Sequence, residues 1–157
     1  MDGVAGVKRQ MRLKFENIPI PEAHVIGIIL SVLVRLFLPA RIFRINWVGH
    51  ALGWPLVVTG LLLSLWAATE ARDMLMVSPD RLITSGPYAF SRNPMYVGWT
   101  LIFLGLIFIL NTLWSFGLLI VVLIFTHLFV IQREEANLQK SFGAEYERYR
   151  ERVRRYI

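Results

Sequence analysis

The chain contains no cysteine. Disulfides, thiolate metal sites and a cysteine nucleophile are therefore excluded. Histidine is scarce: His24, His50 and His127 lie in different apolar segments, with no pair at metal-ligand spacing. There is no glycine-rich phosphate loop and no soluble-type dinucleotide fingerprint. No internal repeat or low-complexity segment is visible, which leaves a single domain of 157 residues. Acidic residues are outnumbered, 11 against 17 lysines and arginines, giving a net charge of +6. Such a balance suits nucleic acid or an anionic membrane surface. Here the basic residues flank long apolar runs, so membrane lipid is the expected partner and nucleic acid is not.

What the chain has in abundance is hydrocarbon: it is 55% hydrophobic, with a mean hydropathy of +0.52. Four apolar runs stand out, roughly 22–40, 46–69, 94–110 and 113–131. Each approaches the ~20 residues a helix needs to cross the hydrocarbon core. The third is short and borrows length from its neighbours. The first follows a basic segment and lacks a small-residue cleavage site, so it reads as a retained span rather than a signal peptide. The pattern predicts an all-α integral-membrane fold with about four transmembrane helices.

Four spans put both termini on one side, together with the loop 70–93. That side carries Lys8, Arg9, Arg12, Lys14, Arg72, Arg81, Arg92 and the basic residues from Arg133 onward, whereas the other has only Arg41 and Arg44. The positive-inside rule then places both termini and the loop in the cytoplasm. Asn46, Trp47 and Trp54 suit the outer interfacial belt, and Arg35 lies close enough to that interface to snorkel. Pro55 either kinks the second span or lies within its first turns. In the segment 1–20, Val4, Val7, Met11 and Phe15 recur at helical spacing among basic residues, which fits either a helix on the membrane surface or a disordered basic arm. Pro19 and Pro21 end it.

The third and fourth runs are separated only by Asn111-Thr112. So short a connection predicts an antiparallel helical hairpin over 94–131, which brings Asn93–Gly98 and Gln132–Glu135 together at the cytoplasmic surface. After Glu135 the chain turns amphipathic, with Leu138, Phe142, Tyr146, Tyr149, Val153 and Tyr156 every three or four residues. Gly143 divides this stretch, 132–157, into two short cytoplasmic helices. Their apolar face packs on the membrane, on the loop, or over a ligand; periodicity does not choose.

The base of the hairpin holds the residues with chemistry. Gly86-Pro87 makes a turn, Tyr88, Phe90 and Tyr96 offer rings, Arg92 and Asn93 offer donors, and Glu134 and Glu135 offer carboxylates. Irregular polar backbone and paired acids at the edge of membrane helices are costly unless they build a site. Rings with acids suit a ligand that has a flat base, hydroxyls and a positive centre, such as an adenosyl cofactor.

The pattern Thr84-Ser-Gly-Pro-Tyr88, Arg92-x-Pro94-x-Tyr96-x-Gly98, Glu134-Glu135 and Phe142-Gly143-x-x-Tyr146-x-x-Tyr149 resembles the integral-membrane methyltransferases that include isoprenylcysteine carboxyl methyltransferases and phospholipid N-methyltransferases. The resemblance covers about the C-terminal half, from Arg81 to Arg154. It implies methyl transfer from S-adenosylmethionine, held at the cytoplasmic base of the hairpin, to a lipophilic acceptor with an oxygen, nitrogen or sulfur nucleophile. Carried over by position, cofactor contacts fall on Leu82, Ile83, Tyr88, Asn93, Pro94, Met95, Tyr96 and Glu134. The tyrosines would otherwise be interfacial anchors, and the two acids a charged helix start.

Two departures narrow the expectation. The family usually has histidine where this chain has Asn93, and asparagine can neither carry charge nor act as a base near neutral pH. Prenylcysteine enzymes carry an arginine four residues before the acid matching Glu134; Val130 stands there, so a clamp for a substrate carboxylate is missing. His127, seven residues before Glu134, shares its face if the helix is continuous, and is the candidate for orienting the acceptor or taking its proton. The alternative is a histidine bonded to a neighbouring helix. A sterol-type reductase using NADPH shares the Arg-x-Pro-x-Tyr-x-Gly segment, but Trp99 follows Gly98 where an acid is usual. A non-catalytic membrane scaffold with the same fold is a further reading. The small set of spans favours a prokaryotic inner membrane.

Overall fold

A computed structural model describes residues 21–77 and 81–157, and the side chains of all of these except 73–77. The segment 1–20, with its surface-helix pattern, lies outside the described residues. Every element among the described residues is helical: α1 (Glu22–Phe37), α2 (Asn46–Val77), a 3-10 turn (Gly86–Ala89), α3 (Pro94–Leu110), α4 (Ser115–Phe125), a π-helical stretch (Thr126–Ile131), α5 (Gln132–Phe142) and α6 (Ala144–Arg152). Among the described residues, two stretches are long and apolar enough to cross a membrane, Asn46–Arg72 and Ser115–Phe142. The first and third predicted spans form shorter helices of 16 and 17 residues. Ile26, Ile29, Leu62, Leu65, Val121 and Phe129 are exposed on α1, α2 and the long C-terminal helix. Apolar surface on that scale suits a lipid solvent rather than water.

The second helix runs past its apolar stretch. Glu70, Ala71 and Arg72 are helix formers with no breaker among them, so the helix ends at Val77 rather than Thr69. At 32 residues it is about 48 Å long, well beyond a hydrocarbon core of about 30 Å. The extra turns carry Glu70 out to the polar loop, where Ser85 Oγ donates to its carboxylate at 2.5 Å. Pro55 sits inside the helix.

Helices α2 and α3 pack antiparallel along a seam of small residues. A methyl group added at Gly53 would lie 2.5 Å from the Gly105 carbonyl oxygen, and one at Gly60 would lie 2.5 Å from that of Gly98. Lipid provides no hydrophobic drive for helix pairing, so close backbone approach through small residues supplies the contact.

The link between α3 and α4, residues 111–114, holds more than a bare turn. Asn111 adopts the left-handed conformation (φ 51°), and its side chain ties down the α1–α2 connection. Its Oδ1 accepts from the backbone of Ile42 and Phe43 at 2.9 and 2.8 Å, and its Nδ2 donates to the Phe43 carbonyl and Asn46 Oδ1. Arg35 does not simply reach toward the interface: its Nε donates to the Leu110 carbonyl at 2.9 Å, satisfying an orphan acceptor at the end of α3. Asn111→Ala should lower stability in detergent by about 2–4 kcal/mol, because two backbone donors lose their acceptor and the left-handed residue gains strain. Thermal unfolding of the purified variant checks this.

Candidate functional site

The loop after α2 is compact because three anchors hold it. Gly86 turns with φ 57°, a conformation open to glycine, and lies directly against Glu70. Tyr149 on α6 donates to the Tyr88 carbonyl at 2.7 Å. Leu82 is buried with Tyr146, Tyr149 and Val153, with Leu138 and Phe142 against them. The amphipathic C-terminal helices thus lay their apolar face on the loop. Gly143 separates them, as its position predicts, at φ 50°.

The same packing leaves a cavity of about 390 Å³ between the loop, the start of α3 and the inner face of α5. Leu82, Ile83, Tyr88, Asn93, Pro94, Met95, Tyr96 and Glu134 all line it. Residues 52 positions apart in sequence therefore meet at one place. The sequence reading missed Asn137, Leu138 and Ser141, which also line it. They follow Glu134 by three, four and seven residues on α5, so helical spacing from that carboxylate would have found them.

Adjacent glutamates do different work. Tyr96 is buried and donates its phenol proton to Glu134 at 2.9 Å, across the base of α3 and α5. Glu135 is instead held by Arg155, whose Nε and Nη2 reach its two oxygens at 3.0 and 2.7 Å, and by Arg92 at 3.3 Å. This bidentate pair pins the C-terminal strap after α6. Asn93 completes the latch: its Nδ2 donates to the Arg155 carbonyl at 3.0 Å, while the Arg92 amide donates to the Arg154 carbonyl at 2.9 Å. The residue that replaces the usual histidine thus spends its donor on the strap.

Tyr88 is half-buried, and its phenol is pushed up to about 12, chiefly by burial and then by the charges of Glu134 and Glu70. Burial raises Tyr149 as well, with Tyr88 adding to it. Both phenols stay protonated and act as donors through the working pH range. Stability from a raised acid is complete below its unfolded value of 10.0 and fades as pH climbs toward about 12. Tyr88→Phe should therefore unfold less steeply than the parent protein between those pH values. Chemical denaturation at stepped alkaline pH measures it.

His127 is not brought to this cavity. The π-helical turn at Thr126–Ile131 interrupts the helix between it and Glu134, so the two no longer share a face. It lines a second, almost wholly apolar cavity of about 720 Å³, together with His24, Thr100, Thr126 and Tyr156. Both of its ring nitrogens are occupied: Nδ1 lies 2.7 Å from the Tyr156 hydroxyl and Nε2 lies 3.4 Å from Arg155 Nη1. Tyr96 lines both cavities. No group of metal-ligating side chains occurs among the described residues.

Fold and site together define a small helical membrane protein with a ligand-sized cavity, lined by apolar and polar side chains, at the end of its apolar helices. Residues 48–145 match the family model described as phospholipid methyltransferase, and the chain belongs to that family. It is accordingly a membrane methyltransferase of the kind that acts on lipid-type acceptors. No curated protein and no solved structure matches it. The matched stretch spans α2 to the start of α6, and leaves out α1 and the C-terminal strap.

Proposed function

We propose that the 390 Å³ cavity binds S-adenosylmethionine and that the protein transfers its methyl group to a lipophilic acceptor at the cytoplasmic face. The observation that carries this reading is the convergence of the loop, α3 and α5 on one cavity whose polar wall is the Tyr96–Glu134 pair. Its size falls within the range of small-molecule sites. Leu82, Ile83 and Leu138 give apolar surface for a flat base, and Glu134 gives an acceptor for an amino group or ribose hydroxyls. Tyr88 and Tyr96 border the polar end, where a positive centre is favoured by ring faces and a carboxylate.

When bound, the cofactor supplies an electrophilic methyl group; the chain's residues hold, align and dry the two reactants. Alignment alone contributes several kcal/mol to such a displacement, on the order of 7–11 in well-oriented systems. Four spans, with α3 and α4 as the antiparallel hairpin and both termini cytoplasmic, put the cavity at the inner membrane surface, as the distribution of basic residues supports.

The test is calorimetric titration of detergent-purified protein with S-adenosylhomocysteine, and with NADPH in parallel. Micromolar binding of the adenosyl ligand alone is expected. Binding of NADPH in its place would move the chain to reductase chemistry.

A further inference from the structure

The second cavity carries a base that nothing in the matched family stretch includes. His24, on α1, is completely buried in its wall. Its Nε2 lies 3.2 Å from Thr100 Oγ1, and that hydroxyl gives its single proton to the Tyr96 carbonyl at 2.8 Å. Thr100 can then only accept from the ring, so Nε2 carries the proton and Nδ1 keeps a lone pair. That Nδ1 is buried without a partner. Thr126 Oγ1, in the wall of the same cavity, is likewise buried without one. In hydrocarbon no bulk water makes up such missing bonds, so orphaned polar atoms point to a ligand that supplies them.

His127 is fixed the other way. A guanidinium only donates, so Nε2 accepts from Arg155 and Nδ1 gives its proton to Tyr156. It has no free lone pair. The cavity lining contains no Asp, Glu, Lys or Arg side chain. Its wall therefore offers hydrogen bonds to a reacting group but no charged side chain to pair with a phosphate or an ammonium ligand.

From this geometry we infer that the second cavity holds the methyl acceptor as an uncharged X–H nucleophile (an alkyl thiol or amine) on an apolar chain, with His24 Nδ1 as its general base. The inference rests on the cofactor reading above, with Tyr96 bordering both reactants' cavities. The acceptor's lone pair forms the new bond to the methyl carbon, and the carbon–sulfur bond breaks with its electron pair going to sulfur. The acceptor's proton passes to His24 Nδ1 while Nε2–H stays on Thr100 Oγ1, so the positive charge lost by the sulfonium passes to the ring. Thr126 is a positioning residue that hydrogen-bonds the acceptor.

The experiment uses the full chain in nanodiscs, with methyl-labelled S-adenosylmethionine and three probes: dodecanethiol, dodecylamine and phosphatidylethanolamine. Wild type should methylate the thiol or the amine well ahead of phosphatidylethanolamine. His24→Gln should lower kcat about 100-fold, the scale of general-base catalysis, while the Kd for S-adenosylhomocysteine stays within about twofold. Thr126→Val should raise KM with little change in kcat. Wild type that binds S-adenosylhomocysteine but methylates neither simple probe, or prefers phosphatidylethanolamine, overturns the acceptor assignment and leaves the cofactor site standing. A His24→Gln protein that keeps its turnover, or that loses cofactor affinity, removes His24 as the base. Wild type that binds no S-adenosylhomocysteine removes both readings.

Discussion

Replacing Glu134 with glutamine is expected to weaken S-adenosylhomocysteine binding by about 10- to 100-fold while the protein remains folded in detergent. Tyr96 already occupies one oxygen of this carboxylate, and the rest of it lines the cavity. A hydrogen bond to a charged group contributes about 1.5–3 kcal/mol, and each 1.4 kcal/mol is about tenfold in Kd. Glutamine keeps the shape and the acceptor for Tyr96 but removes the charge. Glu135→Gln is the informative contrast. It leaves Arg92 and Arg155 without their shared carboxylate, so it should cost about 3 kcal/mol of stability before any effect on affinity. Calorimetry and thermal unfolding on the two variants should show opposite patterns. Equal affinity in Glu134→Gln and wild type would remove Glu134 from the site.

The largest structural effect is expected at Gly105, where valine should destabilise by about 3 kcal/mol or more and sharply reduce the folded yield. Even its first carbon would sit 2.6 Å from the Gly53 carbonyl oxygen and 2.7 Å from a Val57 methyl. Backbone cannot move aside as a flexible side chain can, and α2 and α3 would have to separate along their seam. Separation would also displace Tyr96, which α3 presents to the cavity. Gly117 on α4 has nothing within 4 Å of an added methyl, so Gly117→Ala should leave the protein as stable as before or raise it by up to about 1 kcal/mol. Detergent-exclusion chromatography and thermal unfolding of both variants test the pair. A Gly105→Val protein as stable as the parent would refute the close approach.

Local signals were legible where one kind of residue has one job. The bounds of α3 followed from Pro94 at its start and Asn111 at its end, and the division of the C-terminal region followed from Gly143. Of the eight residues proposed for the cofactor, Tyr88, Asn93, Tyr96 and Glu134 stood out as rings, a donor and an acid at a membrane edge, whereas Leu82, Ile83, Pro94 and Met95 came only from the family resemblance carried over by position. Other assignments needed neighbours in space. Glu134 and Glu135 look alike in sequence, yet their side chains leave the helix about 100° apart, one toward Tyr96 and the other toward Arg155. Arg35 read as snorkelling because a lone arginine near an interface gives no hint of a carbonyl waiting on another helix.

The sequence by itself determined the solvent and the chemistry on offer: long apolar runs with basic flanks, no thiol, no clustered ligands, and acids beside aromatics at one edge. Hydropathy and residue type are properties of single positions, so they survive without knowledge of the fold. Which histidine keeps a free lone pair was decided only by tertiary structure. A π-helical turn rotates His127 away from Glu134, and the C-terminal strap takes up both of its nitrogens. Packing of α1 on α3 sets His24 against Thr100 with Nδ1 unpartnered. Helix register and hydrogen-bond partners depend on what lies across the interface, and that information is not contained in any local stretch of chain.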